Sequence, residues 1–183
     1  MMADRPGELP ENVLAAFEDA GVQGAVIGAH AVGRYIAPRM TFDVDVTVIA
    51  DAAGIAVLLA GLERAGMVTV RSSGGAQPSG PDFIRLRHPD SGLVLDIQVG
   101  KTTFERELVE RAHARAAGTL PPATAEDLVV LKLISFRLKD RQDVVELLGL
   151  PGMDREYIAK RAAEWEVEDR LDELLRALRD SPG

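Results

Sequence analysis

The chain has 183 residues, 46% of them apolar and 27% charged, which is enough to bury a core and too apolar for a disordered segment. Zero cysteines exclude disulfides and thiolate metal sites and fit a cytoplasmic protein, and three scattered histidines give no zinc constellation. A net charge of −8 argues against broad nonspecific nucleic-acid binding while leaving room for a local basic patch that holds RNA, and no apolar run approaches a membrane span or a signal-peptide core.

Glu11 to Ala20 reads as a first helix with Val13, Leu14 and Phe17 inward, ended by Gly21. A strand over 23–27 then breaks at Gly28 into a short helix over 29–36, which Pro38 stops. A strand, a glycine turn and a helix N-terminus offer unpaired N–H groups to an anion. Most such turns only change direction, so an anion site and a plain turn both stand at this point.

The next strand spans 43–49 within Arg39-Met-Thr-Phe-Asp-Val-Asp-Val-Thr-Val-Ile49. Alternate residues of a strand share a face, so Asp43 and Asp45 point the same way with Cα atoms about 6.5–7 Å apart. Val44, Val46 and Val48 point into a core. Carboxylates are depleted from strands and repel when adjacent. A divalent cation between them, or an exposed and solvated face, accounts for such a pair.

A helix over 53–65 presents Ile55, Leu58, Leu59 and Leu62, and a strand over 67–71 leads into a Gly/Ser/Pro loop over 72–81 that is either a lid or a plain connection. Phe83 to Arg87 and Leu93 to Val99 read as an antiparallel hairpin closed by the five-residue loop His88 to Gly92. Within it Asp96 sits among apolar neighbours, so it is either a compensated buried charge or an exposed edge position. Helix 103–116, with Arg106, Arg111 and Arg115, reads as a solvated face. From Pro121 the chain turns helical. Thr124-Ala-Glu-Asp127 resembles a capping box opening a helix through about Leu138, on which Lys132 reads as surface charge; Lys132, Lys139 and Asp143 share a side if the helix continues. Gly149 and Pro151 end the segment, and one last helix from Arg155 to Leu178 carries Ile158, Ala162, Trp165, Leu171, Leu174 and Leu178 at core spacing.

Residues 24–49, with Gly28-Ala29-His30-Ala31-Val32 followed by Arg39-x-Thr41-x-Asp43-Val-Asp45-Val, resemble the nucleotidyltransferase superfamily with the polymerase-beta-type palm. The form is most similar to the small bacterial AbiEii-like nucleotidyltransferases of toxin–antitoxin and phage-defence systems. The resemblance implies an α+β fold: a palm with a mixed twisted sheet flanked by helices over residues 1–120, then a C-terminal helical segment over 121–183 packed on it as one compact unit. It implies that Gly28 and Ala29 form a phosphate turn and that Asp43 and Asp45 bind magnesium, or manganese. A third carboxylate, for which Asp96 is the candidate, would complete a second metal site and act as or orient a base. Arg39 would pair with the carboxylates or contact phosphate, with Thr41 beside it. His30 would bond the ribose or a phosphate, or else cap the helix. Glu126, Asp127, Leu128, Lys132, Arg141 and Asp143 match a further motif, in which Lys132 would reach the nucleotide's phosphates or brace the acidic cluster of the site. One departure is Ala29, where the family has Ser or a second Gly.

The implied reaction is two-metal transfer of an NMP from an NTP to a hydroxyl of an RNA such as tRNA, of a partner toxin or antitoxin protein, or of a small molecule. The rival expectation is a nucleotide-binding module of the same fold that no longer turns over.

Overall fold

The computed structural model describes residues 9–38, 41, 43–74 and 80–180. The chain divides into two compact units: Met1–Ala31 with Pro38–Ala123, and Val32–Ala37 with Thr124–Gly183.

The first unit is an α+β layer structure. Its elements run α1 (Glu11–Asp19), β1 (Gln23–Ile27), α2 (Gly28–Val32, whose last residue falls in the second unit), β2 (Asp43–Ile49), α3 (Ala52–Arg64), β3 (Val68–Ser73), β4 (Phe83–Arg87), β5 (Val94–Val99) and α4 (Thr103–Arg115). The five strands form one mixed sheet in the order β1-β2-β5-β4-β3. The β2–β5 pair is parallel and the other three are antiparallel. Val44, Val46 and Val48 are buried as their alternation requires, and with Ile84, Leu86, Leu95 and Ile97 they pack against Val13 and Phe17 of α1 and Ile55, Leu58 and Leu62 of α3. The carboxylates of β2 therefore project from the sheet face opposite this core. Helix α4 opens on a capping box between Thr102 and Glu105 and packs against β1 and β2. Its His113 Nε2 lies 3.0 Å from the carbonyl of Gly24.

The β4–β5 connection differs from the expected hairpin by one residue. Arg87 pairs with Val94, and the turn is closed by His88 N–H donating to the Leu93 carbonyl at 2.8 Å. The middle of the 72–81 loop, residues 75–79, and Arg39 lie outside the described residues.

The second unit is helical: α5 (Ala125–Ser135), α6 (Leu138–Leu148), α7 (Arg155–Glu164) and α8 (Glu168–Asp180). One expected helix ends early and another is divided. The helix expected through Leu138 stops at Phe136, which takes a left-handed conformation at φ 48. Asp140 ends it there by accepting the Arg137 backbone N–H at 3.1 Å and so starting α6. The single helix expected over 155–178 breaks at Glu166, φ 54. Val167 N–H reaches the Ala162 carbonyl at 2.9 Å and Glu166 N–H the Ala163 carbonyl at 3.1 Å, the paired bonds of a Schellman stop. Val167 and Ala162 are both buried, and that burial works against the cost of a left-handed glutamate, about 1–2 kcal/mol.

A buried charge network joins α5 to α6. Lys132 Nζ lies 3.2 Å from Asp140 Oδ1 and 2.6 Å from Asp143 Oδ2, while Ser135 Oγ and Arg137 Nε donate to Asp140 Oδ2 at 2.9 and 2.7 Å. Burial works to raise the Asp140 pKa, but hydrogen bonds from Arg137, Ser135 and Lys132, with the lysine charge, outweigh it and bring the carboxyl from 3.8 to about 2. A carboxylate whose folded pKa is depressed stabilises the fold fully above its unfolded value and loses that contribution as pH falls toward the folded one. Acid should therefore weaken the helical unit between about pH 4 and pH 2 by on the order of 2 kcal/mol. Asp140→Asn should flatten that part of a melting-temperature-versus-pH curve; an unchanged slope would remove the assignment.

Candidate functional site

The sheet face opposite the α1–α3 core gathers the charged residues by register alone. Asp45 of β2 pairs directly with Asp96 of β5, Asp96 with Arg85 of β4, and Arg85 with Arg71 of β3. Directly paired residues share a face, so two carboxylates and two guanidinium groups form one row across four strands. Asp43 lies on the same face, two residues before Asp45, and is half-buried.

Asp96 is buried at 5% exposure, and a buried carboxylate requires compensation. Arg85 supplies it. Its Nε donates to Asp96 Oδ1 at 2.7 Å and an NH2 to Oδ2 at 2.5 Å, the two-pronged arrangement that suits a planar guanidinium. The same guanidinium stands 4.0 Å from Asp43 Oδ2. The hydrogen bond and charge of Asp96, with smaller contributions from Asp43 and Asp45, hold Arg85 even above the usual guanidinium range, so it is a fixed cation.

Gly28 sits at the end of β1 with φ +66, a conformation that favours glycine. A Cβ built there would fall 2.1 Å from Asp45 Oδ2. The glycine corner and the acidic strand are therefore in contact, and a side chain at residue 28 would require the Asp45 carboxylate to shift. Ala29 and His30 follow, both half-buried in α2. Thr41 Oγ1 accepts the Asp43 backbone N–H at 3.3 Å, fixing the entry to β2.

The structure thus brings together Gly28, Asp43, Asp45 and Asp96, with Thr41 at the edge. Lys132 lies in the helical unit with Nζ on Asp140 and Asp143. Lys132 and Asp143 meet although the helix does not continue between them. Arg85 went unsingled in the sequence, although a signal was present. Ile84, Leu86, Leu95 and Ile97 must all face the core, and pairing them leaves Arg85 on the polar face of the strand beside Asp96.

The fit of the site to divalent ions follows from these contacts. Asp43 and Asp45, alternate residues on one accessible face, suit one ion. Each oxygen of Asp96 accepts one N–H from Arg85, so an ion on Asp96 would share the carboxylate with the guanidinium; among the described residues no group of three His, Cys, Asp or Glu is arranged to hold a metal. Among the described residues, too, no helix is long and apolar enough to cross a membrane.

Comparison with known proteins supports the fold. No family model matches the sequence, and no curated protein matches it. Among solved structures, the antibiotic-resistance factor ANT(2'')-Ia in solution aligns over 93% of this chain and 95% of its own, with TM-score 0.57 and 13% identity. A crystal structure of ANT(2'')-Ia in complex with adenylyl-2''-tobramycin covers 92% and 93%, with TM-score 0.49 and 14% identity. An antigenic nucleotidyltransferase-like protein from Paracoccidioides brasiliensis covers 91% and 88%, with TM-score 0.48 and 17% identity. The chain has the α+β nucleotidyltransferase fold.

The contact between the glycine corner and β2 is open to test. Gly28→Ala meets both an unfavourable φ and the Asp45 carboxylate, so it should destabilise the protein by about 1–3 kcal/mol. Thermal melts of Gly28→Ala and of Gly28→Ala with Asp45→Ala separate the two causes: relief of the clash should return part of the loss, and no recovery would mean that φ alone sets the requirement.

Proposed function

We propose that this chain is a divalent-metal-dependent nucleotidyltransferase that moves an NMP from an NTP to an acceptor hydroxyl. The observation that carries the reading is the closure of the Gly28 corner onto Asp45 in a nucleotidyltransferase fold. A triphosphate bonded to the backbone at residues 28–30 would then lie beside the carboxylates of β2. Asp43 and Asp45 would hold magnesium or manganese, and the bound ion supplies charge neutralisation at the triphosphate. The protein's own share is placement. Gly28 admits the phosphates without a side chain in the way, Thr41 fixes the start of β2, and Asp96 holds Arg85 beside the carboxylate pair. The acceptor oxygen bonds the α-phosphorus as the bond to the bridging oxygen breaks. Pyrophosphate leaves with that electron pair, and the hydroxyl proton passes to water. Arg39 and His30 are proposed phosphate or ribose contacts, and Lys132, bonded to Asp140 and Asp143, is proposed to brace its own unit. The proposed acceptor is an RNA such as tRNA or a partner toxin or antitoxin protein, as in an AbiEii-like two-component system.

A second reading is a nucleotide-binding module without turnover. Ala29 favours it, because the turn carries no hydroxyl for a phosphate. Calorimetry with magnesium and each NTP, run beside incubation with labelled NTPs, total RNA and lysate, separates the two. Binding with incorporation supports the transferase, and binding without it supports the module.

The Asp43→Asn, Asp45→Asn double variant should lower label incorporation by at least about a hundredfold. Both side chains are half-buried on the accessible face, so its thermal melt should stay close to that of the parent. A folded double variant with full activity would refute the mechanism.

A further inference from the structure

We infer that the site takes a single divalent cation, on Asp43 and Asp45, and that Arg85, anchored by Asp96, supplies the positive charge that a second ion would otherwise bring. The inference rests on the nucleotidyl-transfer reading and specifies how that site is built.

Three observations carry it. First, Asp96 is buried, and its charge is already compensated through both oxygens by a fork of 2.7 and 2.5 Å. An ion on those oxygens would have to displace the fork or share the carboxylate with it, two cations in contact. Second, the fork is not an excursion of a flexible side chain. Arg85 and Asp96 are direct register partners on antiparallel strands, each flanked by buried core residues, Ile84 and Leu86 on one strand and Leu95 and Ile97 on the other. Sliding β4 by one residue to move Arg85 away would turn Ile84 and Leu86 to the polar face. Third, the guanidinium reaches past Asp96 to within 4.0 Å of Asp43, so it borders the carboxylate pair proposed for the ion.

A guanidinium beside the transferring phosphoryl neutralises charge developing on its oxygens without needing a metal ligand set. Asp96 is then a positioning residue for Arg85.

The test counts ions. The full chain is titrated with Mn2+ in the presence of a non-hydrolysable α,β-methylene ATP, following bound manganese by electron paramagnetic resonance and calorimetry. The Asp43→Asn, Asp45→Asn variant serves as the blank for ions carried by nucleotide alone. One ion per parent chain above that blank is expected. Arg85→Gln frees Asp96 and should gain a second, weaker ion while losing about a thousandfold in transfer. Arg85→Lys, which keeps the charge, should hold one ion and recover part of the rate. Circular dichroism establishes that each variant is folded. Should Arg85→Gln unfold, Asp96→Asn decides: Mn2+ affinity within about twofold of the parent supports the inference, whereas a loss of about tenfold or more, as expected for a metal ligand, overturns it. Two ions on the parent, or a single ion on folded Arg85→Gln, overturns the inference and leaves nucleotidyl transfer standing. No ion above the blank overturns both.

Discussion

Two carboxylates set directly opposite each other on neighbouring strands repel, and much of this sheet's polar face answers that one fact. The parallel pairing of β2 with β5 brings Asp45 against Asp96. Like charges in that position destabilise a sheet, and burial of Asp96 worsens the balance. The next strand in the row supplies Arg85, and the strand after that Arg71. The row therefore changes sign at its middle, from acid on β2 and β5 to base on β4 and β3. Its polarity comes from strand order, which no local stretch of sequence contains.

The glycine corner belongs to the same arrangement. Asp45 is bounded on one side by Asp96 and on the other by Gly28, whose missing side chain leaves room for the carboxylate. A phosphate bound at the corner and an ion bound by Asp45 would be neighbours by construction. The turn's positive φ and its contact with Asp45 impose glycine twice over.

The parts legible in the sequence were those decided by local periodicity. Val44, Val46 and Val48 alternate with Asp43, Asp45 and Thr47, so β2 could be placed to the residue, and β1 followed from its apolar run and Gly28. Asp96 stood out as a charge inside an apolar strand, and it is indeed buried. What compensates it was not legible in the same way, because the hairpin loop is one residue longer than the turn signals suggest. Counting from a five-residue loop pairs Arg87 with Leu93 and leaves Arg85 opposite an apolar residue; the observed register pairs Arg87 with Val94 and Arg85 with Asp96. Matching the buried faces of both strands, rather than counting the loop, would have resolved it. The helix breaks at Phe136 and Glu166 were hidden for a different reason. Neither carries the glycine that announces a left-handed stop, and both are imposed by capping partners, Asp140 in one case and Val167 in the other.

The helical unit meets the problem of buried charge by different means. Its Lys132, Asp140 and Asp143 are all buried, yet no sheet register aligns them. The break at Phe136 does so, by starting α6 where Asp140 can accept the Arg137 N–H, the Ser135 hydroxyl and the Lys132 ammonium together. A straight helix would hold Lys132 and Asp140 eight residues apart, about 12 Å along the axis, and the network could not form. The break and the network therefore require each other: the buried carboxylate is tolerable only because the chain turns, and the turn is held by that carboxylate. Lys132 is held by two carboxylates through a chain break, as Arg85 is held by Asp96 through strand register.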